Sequence, residues 1–338
     1  MKVAVLGNGA FGTALSVVAH HAGHQVSLWG HDATYTEEIA RTRRNPRYLP
    51  PEIEVPEPIE VSHDAASVLG GAEVVLVAVP TQHVREAVSG LVTHVPAGVP
   101  LVSLCKGLEQ STGLRPTEVL REVVGAGSPL LVLSGPSHAE EVAAGLPAAV
   151  VLAGESDSGV RRLQEAFTGA NLRIYAQRDP LGVELCGAVK NVMALAAGVA
   201  DGLGYGDNAK AAILSRGVVE MARYGRAEGA ELATFYGIAG VGDLAVTAFS
   251  RHGRNRAFGE RIGRGESMEA ILRSTHKVAE GMWTSRVVRD RARELDIEMP
   301  ITDAVCAVLF DGVSAEKAVR SLMERDPKEE GGSGAAQH

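Results

Sequence analysis

The sequence predicts an α/β fold: a doubly wound, mostly parallel sheet followed by an all-helical C-terminal domain. Three observations lead there. Short runs rich in β-branched residues alternate with helix-like stretches from residue 2 to about 178. The first of these runs ends in a glycine-rich turn. Beyond about residue 178 the strand-like runs disappear and only helical stretches follow. The resulting division is 1–178, then 179–325, then a polar, glycine-rich tail, 326–338, expected to be disordered.

In chain order, residues 2–7 (KVAVLG) read as a buried strand. Gly7-Asn8-Gly9-Ala10-Phe11-Gly12 follows, a G-x-G-x-x-G leading into the helix-like run 13–21. Gln25–Trp29 is a second strand. Asp32 lies twenty residues after Gly12, where a dinucleotide fold places the acid that takes the ribose hydroxyls. Gly7, Gly9 and Gly12 then have separate duties: the tight turn, the close approach of a pyrophosphate, and helix–strand packing. The phosphate charge meets the helix N-terminus. A lone motif of this kind is weak. Here it sits between strand and helix with the acid in place, which makes 1–178 a Rossmann-type dinucleotide-binding domain.

The proline-rich stretch 45–58 (NPRYLPPEIEVPEP) reads as a surface loop. Strands resume at 74–79, 101–105, 129–133, 148–153 and 172–176, with helices such as 83–91 and 115–124 between them. Parallel sheets bind ligands outside the carboxyl ends of their strands. Lys106, Gly135 and Ser137 fall at that edge.

The second part opens with Asp179 as a helix cap and Pro180 at the first helical position. From Val183 to Ala200 the residues are nearly all apolar, so this helix is buried on every face. Yet Lys190 and Asn191 sit in its middle. A buried ammonium costs several kcal/mol unless it is paired or loses its proton. Either Lys190 belongs to a catalytic site, or it is structural, snorkelling outward or paired with Glu184 or another acid. Asn191 is expected to position a loop or a water. Helical stretches continue at 210–222, 269–273, 285–295 and 302–310, and Ser314 caps a last helix through Met323. Three further places stand out: 237–243 (GIAGVGD), 251–256 (RHGRNR) and 278–281 (VAEG). An arginine fork suits a phosphate, so Arg254 with Asn255 is a candidate anion holder.

Totals set the outer bounds. The 338 residues carry a net charge of -8 with both signs interspersed, which argues against a nucleic-acid surface. Cys105, Cys186 and Cys306 are far apart and odd in number, so no disulfide framework and no metal site is expected. The N-terminal apolar run is too short for a signal peptide, and no run is expected to span a membrane. A cytoplasmic protein is expected.

Taken together, GNGAFGTAL (7–15), NPRYLP (45–50), CKGLE (105–109), SGPSHAEEVAAGLPAAVV (134–151), the stretch 182–217, YGIAGVGDLAVT (236–247) and GRNRAFG (253–259) resemble the bacterial NAD(P)-dependent glycerol-3-phosphate dehydrogenases. The likeness runs in order from residue 1 to about 325. It implies reversible conversion of sn-glycerol 3-phosphate and NAD(P)+ to dihydroxyacetone phosphate and NAD(P)H. It also implies a supply of glycerol 3-phosphate for phospholipid synthesis, a homodimer, NAD or NADP as cofactor, and no metal. By the same likeness Lys190 is the proton acceptor. Lys106, Gly135, Ser137, Asp243, Arg254 and Asn255 join it as substrate contacts. Ala10, Phe11, His31, Lys106, Ala139, Arg254, Val278 and Glu280 match cofactor contacts. The family commonly has arginine where this chain has His31, and Asp32 beside it repels a 2′-phosphate; NAD is therefore expected to serve as well as NADP or better.

Two other readings compete. A β-hydroxyacid dehydrogenase of the same architecture would also use a lysine base but take a carboxylate; GVGD and GRNR favour a phosphate. A nucleotide-sensing module without catalysis would lack the base, and Lys190 is present.

Overall fold

The computed structural model describes residues 1–250, 253–274, 279–327 and 329. Its first part runs β1 (Lys2–Leu6), α1 (Ala10–His21), β2 (Gln25–Trp29), α2 (Ala33–Thr42), β3 (Glu60–Ser62), α3 (Ala65–Leu69), β4 (Val74–Val77) and α4 (Val84–Leu91). It continues with β5 (Leu101–Ser103), α5 (Pro116–Val124), β6 (Leu130–Ser134), α6 (Ala139–Ala143), β7 (Ala148–Gly154), α7 (Asp157–Phe167) and β8 (Leu172–Gln177). Helices follow: α8 (Pro180–Gly202), α9 (Asp207–Ala227), α10 (Leu232–Phe235), α11 (Asp243–Phe249), α12 (Arg254–Gly263), α13 (Met268–Ser274), α14 (Glu280–Glu294), α15 (Pro300–Phe310) and α16 (Ala315–Met323). A π turn, Ile238–Gly242, runs directly into α11. The tail 326–338 falls almost wholly outside the described residues.

The strands form one sheet in the order β3-β2-β1-β4-β5-β6-β7-β8. All neighbours pair in parallel except β6 with β7. The expected doubly wound, mostly parallel sheet is therefore present. Its strands are apolar on both faces because helices cover both. Val3 and Val5 pack with Ala14 and Leu15 of α1, while Ala4 and Leu6 pack with Val84 and Val88 of α4. Strand β3 escapes the sequence reading: three residues at the sheet edge, none fully buried, leave no apolar run to detect.

Helix α8 begins as expected, with Pro180 first and the Asp179 carboxylate accepting the Gly182 N–H at 2.8 Å. It is buried along most of its length. Its tightest neighbour is α12, and glycines on both helices let the backbones touch. A Cβ on Gly198 would sit 2.0 Å from the Arg256 carbonyl oxygen, and one on Gly259 2.2 Å from that of Leu195. Gly202 and Gly263 repeat the arrangement one turn on.

Two helical stretches reach the length and apolarity of a membrane span, longer than the sequence reading allowed, Pro180–Gly202 and Leu232–Phe249, by length and composition only. In the first, 89% of the apolar window is buried inside the protein, so its apolarity is that of a core helix. The second is 44% buried. One apolar cluster joins α8 to the sheet, with Val183, Cys186 and Val189 packed among Val132, Val151 and Ala153.

Candidate active site

The glycine turn has the form a pyrophosphate needs. Gly7 stands at φ +112, where a side chain would be strained, and its Cβ would lie 2.7 Å from the Ala78 carbonyl oxygen. A Cβ on Gly12 would fall 1.9 Å from the Gly7 carbonyl oxygen, so helix and strand meet there without room for a side chain. Around Gly9 the space is open, with nothing within 4 Å of such an atom. Gly9 caps α1 without any side-chain hydrogen bond, which leaves the first-turn N–H groups for an anion. Ala10 and Phe11 open that helix. These residues fit a dinucleotide. Asp32 has a further duty that the sequence did not reveal: it caps α2, accepting the Tyr35 N–H at 3.0 Å.

Across the strand ends a second group converges. Lys106 follows β5, Gly135 and Ser137 follow β6, Lys190 lies in mid-α8, and the π turn delivers Asp243 as the first residue of α11. Asp243 bridges the two lysines: Oδ1 is 2.7 Å from Lys190 Nζ and Oδ2 is 2.8 Å from Lys106 Nζ. Lys190 Nζ also donates to Thr247 Oγ1 at 2.7 Å. Lys106 Nζ donates to the Gly135 carbonyl at 2.9 Å, which accepts Ser137 Oγ as well at 2.9 Å. Asn191 Nδ2 donates to the Lys106 carbonyl at 2.9 Å, and so fixes the loop that carries Lys106. Glu184 is not the partner of Lys190; it accepts from Arg115 Nη1 at 2.7 Å and from the Thr117 N–H at 2.9 Å.

Burial pushes the Lys190 ammonium down to about 7; Asp243 opposes the shift, and the like charge of Lys106 adds to it. Burial alone would raise Asp243, but the two lysines outweigh it and hold the carboxyl below its usual range. A neutral amine has two N–H groups and one lone pair. With the N–H groups directed at Asp243 and Thr247, the lone pair is what remains for an incoming hydroxyl. With Lys190 protonated, the same position holds a third N–H.

Glu280 opens α14 and ties it to the sheet, accepting from the Thr81 N–H at 3.0 Å and from Thr81 Oγ1 at 3.2 Å. Burial pushes its carboxyl up, against Thr81 and Arg254. The Gly281 N–H donates to Asn255 Oδ1 at 3.0 Å, and a Cβ on Gly281 would sit 2.5 Å from the Asn191 carbonyl oxygen. Asn255, Gly281 and α8 therefore meet at the residue next to Lys190. The fork expected of Arg254 and Asn255 is modified: Asn255 has its oxygen engaged by the Gly281 N–H, and among the described residues its amino group is left as a donor. Arg254 is exposed at the first position of α12, whose cap, Gly253, supplies no side-chain acceptor. Arg256 points elsewhere, with Nη1 2.7 Å from Asp201 and 3.1 Å from Glu260. Ala139 is buried at the start of α6, and His31 is exposed just past β2. Val278, Arg251 and His252 lie outside the described residues. Among the described residues no group of three or more His, Cys, Asp or Glu is placed to hold a metal. Sequence reasoning missed Thr247 and Thr81. For Thr247 a signal existed, since it stands four residues after Asp243 and so shares its helix face.

Comparison with known proteins agrees with this geometry. Family models described as the NAD-dependent glycerol-3-phosphate dehydrogenase N-terminus and C-terminus match residues 2–159 and 179–320. The chain is 43% identical over 332 residues to a glycerol-3-phosphate dehydrogenase [NAD(P)+] of Chlorobium phaeobacteroides, covering 98% of this chain and 99% of the relative. A protein of that name (numbered 1) from Salinibacter ruber is 44% identical over 331 residues, covering 97% of each. The crystal structure of a glycerol-3-phosphate dehydrogenase from Coxiella burnetii superposes with a TM-score of 0.91 at 35% identity, over 96% of this chain and 99% of that one. The chain belongs to the NAD-dependent glycerol-3-phosphate dehydrogenase family.

Proposed function

We propose that this chain interconverts sn-glycerol 3-phosphate and dihydroxyacetone phosphate with Lys190 as the proton-transfer group. The observation that carries this reading is a buried lysine with its pKa lowered to about 7, anchored by Asp243 and Thr247 at the carboxyl edge of the sheet. When bound at the glycine turn, NAD(P) supplies the hydride acceptor or donor. In oxidation, neutral Lys190 takes the proton of the C2 hydroxyl. In reduction, protonated Lys190 polarises the C2 carbonyl and returns the proton. Asp243 orients both lysines, and Lys106 keeps Lys190 from holding its proton too tightly. Lys106, Gly135, Ser137, Asn255 and Arg254 are assigned to the substrate, Arg254 and the first turn of α12 to its phosphate. Gly7, Gly9, Ala10, Phe11, Gly12, His31, Asp32, Lys106, Ala139, Arg254, Val278 and Glu280 are assigned to the cofactor.

On this reading 1–178 holds the dinucleotide and 179–325 supplies the base. The enzyme feeds phospholipid synthesis in the cytoplasm, and its three free, buried cysteines suit a reducing compartment. It acts as a homodimer; exposed Leu232, Tyr236, Val241 and Phe249 along one stretch of chain offer apolar surface for a second copy to cover. The test is to follow oxidation of NADH and NADPH side by side, with dihydroxyacetone phosphate or a 3-oxo acid as acceptor. Turnover with the phosphate ketone is expected; a preference for the carboxylate would assign the chain to the β-hydroxyacid enzymes instead.

A further inference from the structure

The stretch 45–50 is no plain surface excursion. Asn45 Nδ2 donates to the Asn8 carbonyl at 2.8 Å and to Thr13 Oγ1 at 2.8 Å, which fastens the loop to the glycine turn. Tyr35 Oη donates to Asn45 Oδ1 at 2.5 Å and accepts the Arg47 N–H at 3.0 Å. Asn8 Nδ2 reaches Thr36 Oγ1 at 3.0 Å, and Gly30 makes room for that bond, since its Cβ would lie 2.1 Å from Asn8 Nδ2. This network fastens the backbone of Arg47 beside the Tyr35 ring. Its guanidinium carbon lies 3.6 Å from the centre of the Tyr35 ring, and Nη1 donates to Asp32 Oδ2 at 3.0 Å. That is the one hydrogen bond of the guanidinium among the described residues, and the side chain is 53% exposed.

Asp32 therefore differs from a carboxylate waiting for ribose hydroxyls. One oxygen takes the Tyr35 N–H and the other takes Arg47. A guanidinium stacked on an aromatic ring, with four of its five N–H groups uncommitted, stands at the position where a dinucleotide fold places the adenosine ribose. We propose that Arg47 sets cofactor choice: it takes the 2′-phosphate of NADP and screens that phosphate from Asp32, so that the chain accepts NADP(H) as well as NAD(H). This rests on reading the glycine turn at 7–12 as the dinucleotide site. It also revises the expectation drawn from His31 and Asp32 alone, because the grip that His31 lacks and the repulsion by Asp32 are both met by a cation fifteen residues further along the chain.

The test needs no catalysis. Binding of adenosine 2′,5′-bisphosphate and of ADP is measured by calorimetry for wild type, Arg47→Leu and Asp32→Asn. Arg47→Leu is expected to weaken the bisphosphate about tenfold or more, the loss of a charge-assisted contact, while ADP binds as before or tighter. Asp32→Asn keeps a capping side chain and is expected to tighten the bisphosphate. Equal weakening of both ligands in Arg47→Leu would reduce Arg47 to a loop anchor and overturn the proposal, as would no weakening at all. A wild-type protein that binds neither ligand would overturn the reading of the glycine turn itself, a result distinct from any difference between variants.

Discussion

At the residue scale one carboxylate, Asp243, stands between two lysines. Lys190 was legible from cost alone, as a cation in an apolar helix. Lys106 was legible from its place at the sheet edge and Asp243 from its glycine-rich turn, but their roles as substrate contacts came from resemblance, because nothing local ties residues 106, 190 and 243 together. Only the fold reveals that Asp243 grips both ammonium groups and that Thr247 takes a second N–H of Lys190. The electrostatics fix a pH dependence. Lys190 falls from 10.5 to about 7, so it is mostly neutral above that pH. Oxidation of glycerol 3-phosphate, which needs the neutral amine, is expected to climb through pH 7, and reduction to decline. Between about 7 and 10.5 the folded chain binds fewer protons at this group than the unfolded chain, so the group adds stability as pH rises through that window. Lys106→Ala removes a like charge and leaves Asp243 to Lys190 alone. It is expected to raise the KM for dihydroxyacetone phosphate and to move the inflection of kcat/KM upward. Profiles of the two enzymes that inflect at the same pH would show that Lys106 does not tune Lys190.

At the element scale the strands other than β3, and the long helices, were readable because their apolar patterns are strong. Helix α2 was not, since its cap, Asp32, already had an explanation as a ribose ligand. The α8–α12 crossing was also hidden: Gly198, Gly202, Gly259 and Gly263 look like helix weaknesses until the partner backbone is seen against them. Overpacking a core contact typically costs about 1–3 kcal/mol, and more where only backbone can yield. Gly259→Ala is thus expected to lower the denaturation midpoint clearly. Gly90, exposed in α4 with nothing within 4 Å of its Cβ, is the control. Gly90→Ala is expected to stabilise by up to about 1 kcal/mol. If urea midpoints fall equally for both, the close crossing is not what Gly259 is there for.

At the scale of the whole molecule, the sequence division near 178 does not coincide with a break in packing. Sheet residues Val132, Val151 and Ala153 share a cluster with α8, and Thr81 is tied to Glu280 across 199 residues. The proposed active site lies along that seam, which is why its members are scattered in the sequence. The two tryptophans report on either side of the seam, Trp29 in β2 and Trp283 in α14. In the single-tryptophan variants Trp29→Phe and Trp283→Phe, fluorescence is expected to give one common urea midpoint once each variant's own stability is allowed for. Two separated transitions in either variant would mean that the halves unfold independently. The central claim, that Lys190 moves the proton, is tested most directly by Lys190→Ala. NADH binding should be nearly unchanged, while turnover with dihydroxyacetone phosphate falls by about a hundredfold or more, the usual loss for a general acid–base group; a variant that binds NADH and keeps more than about a hundredth of the wild-type rate contradicts the account.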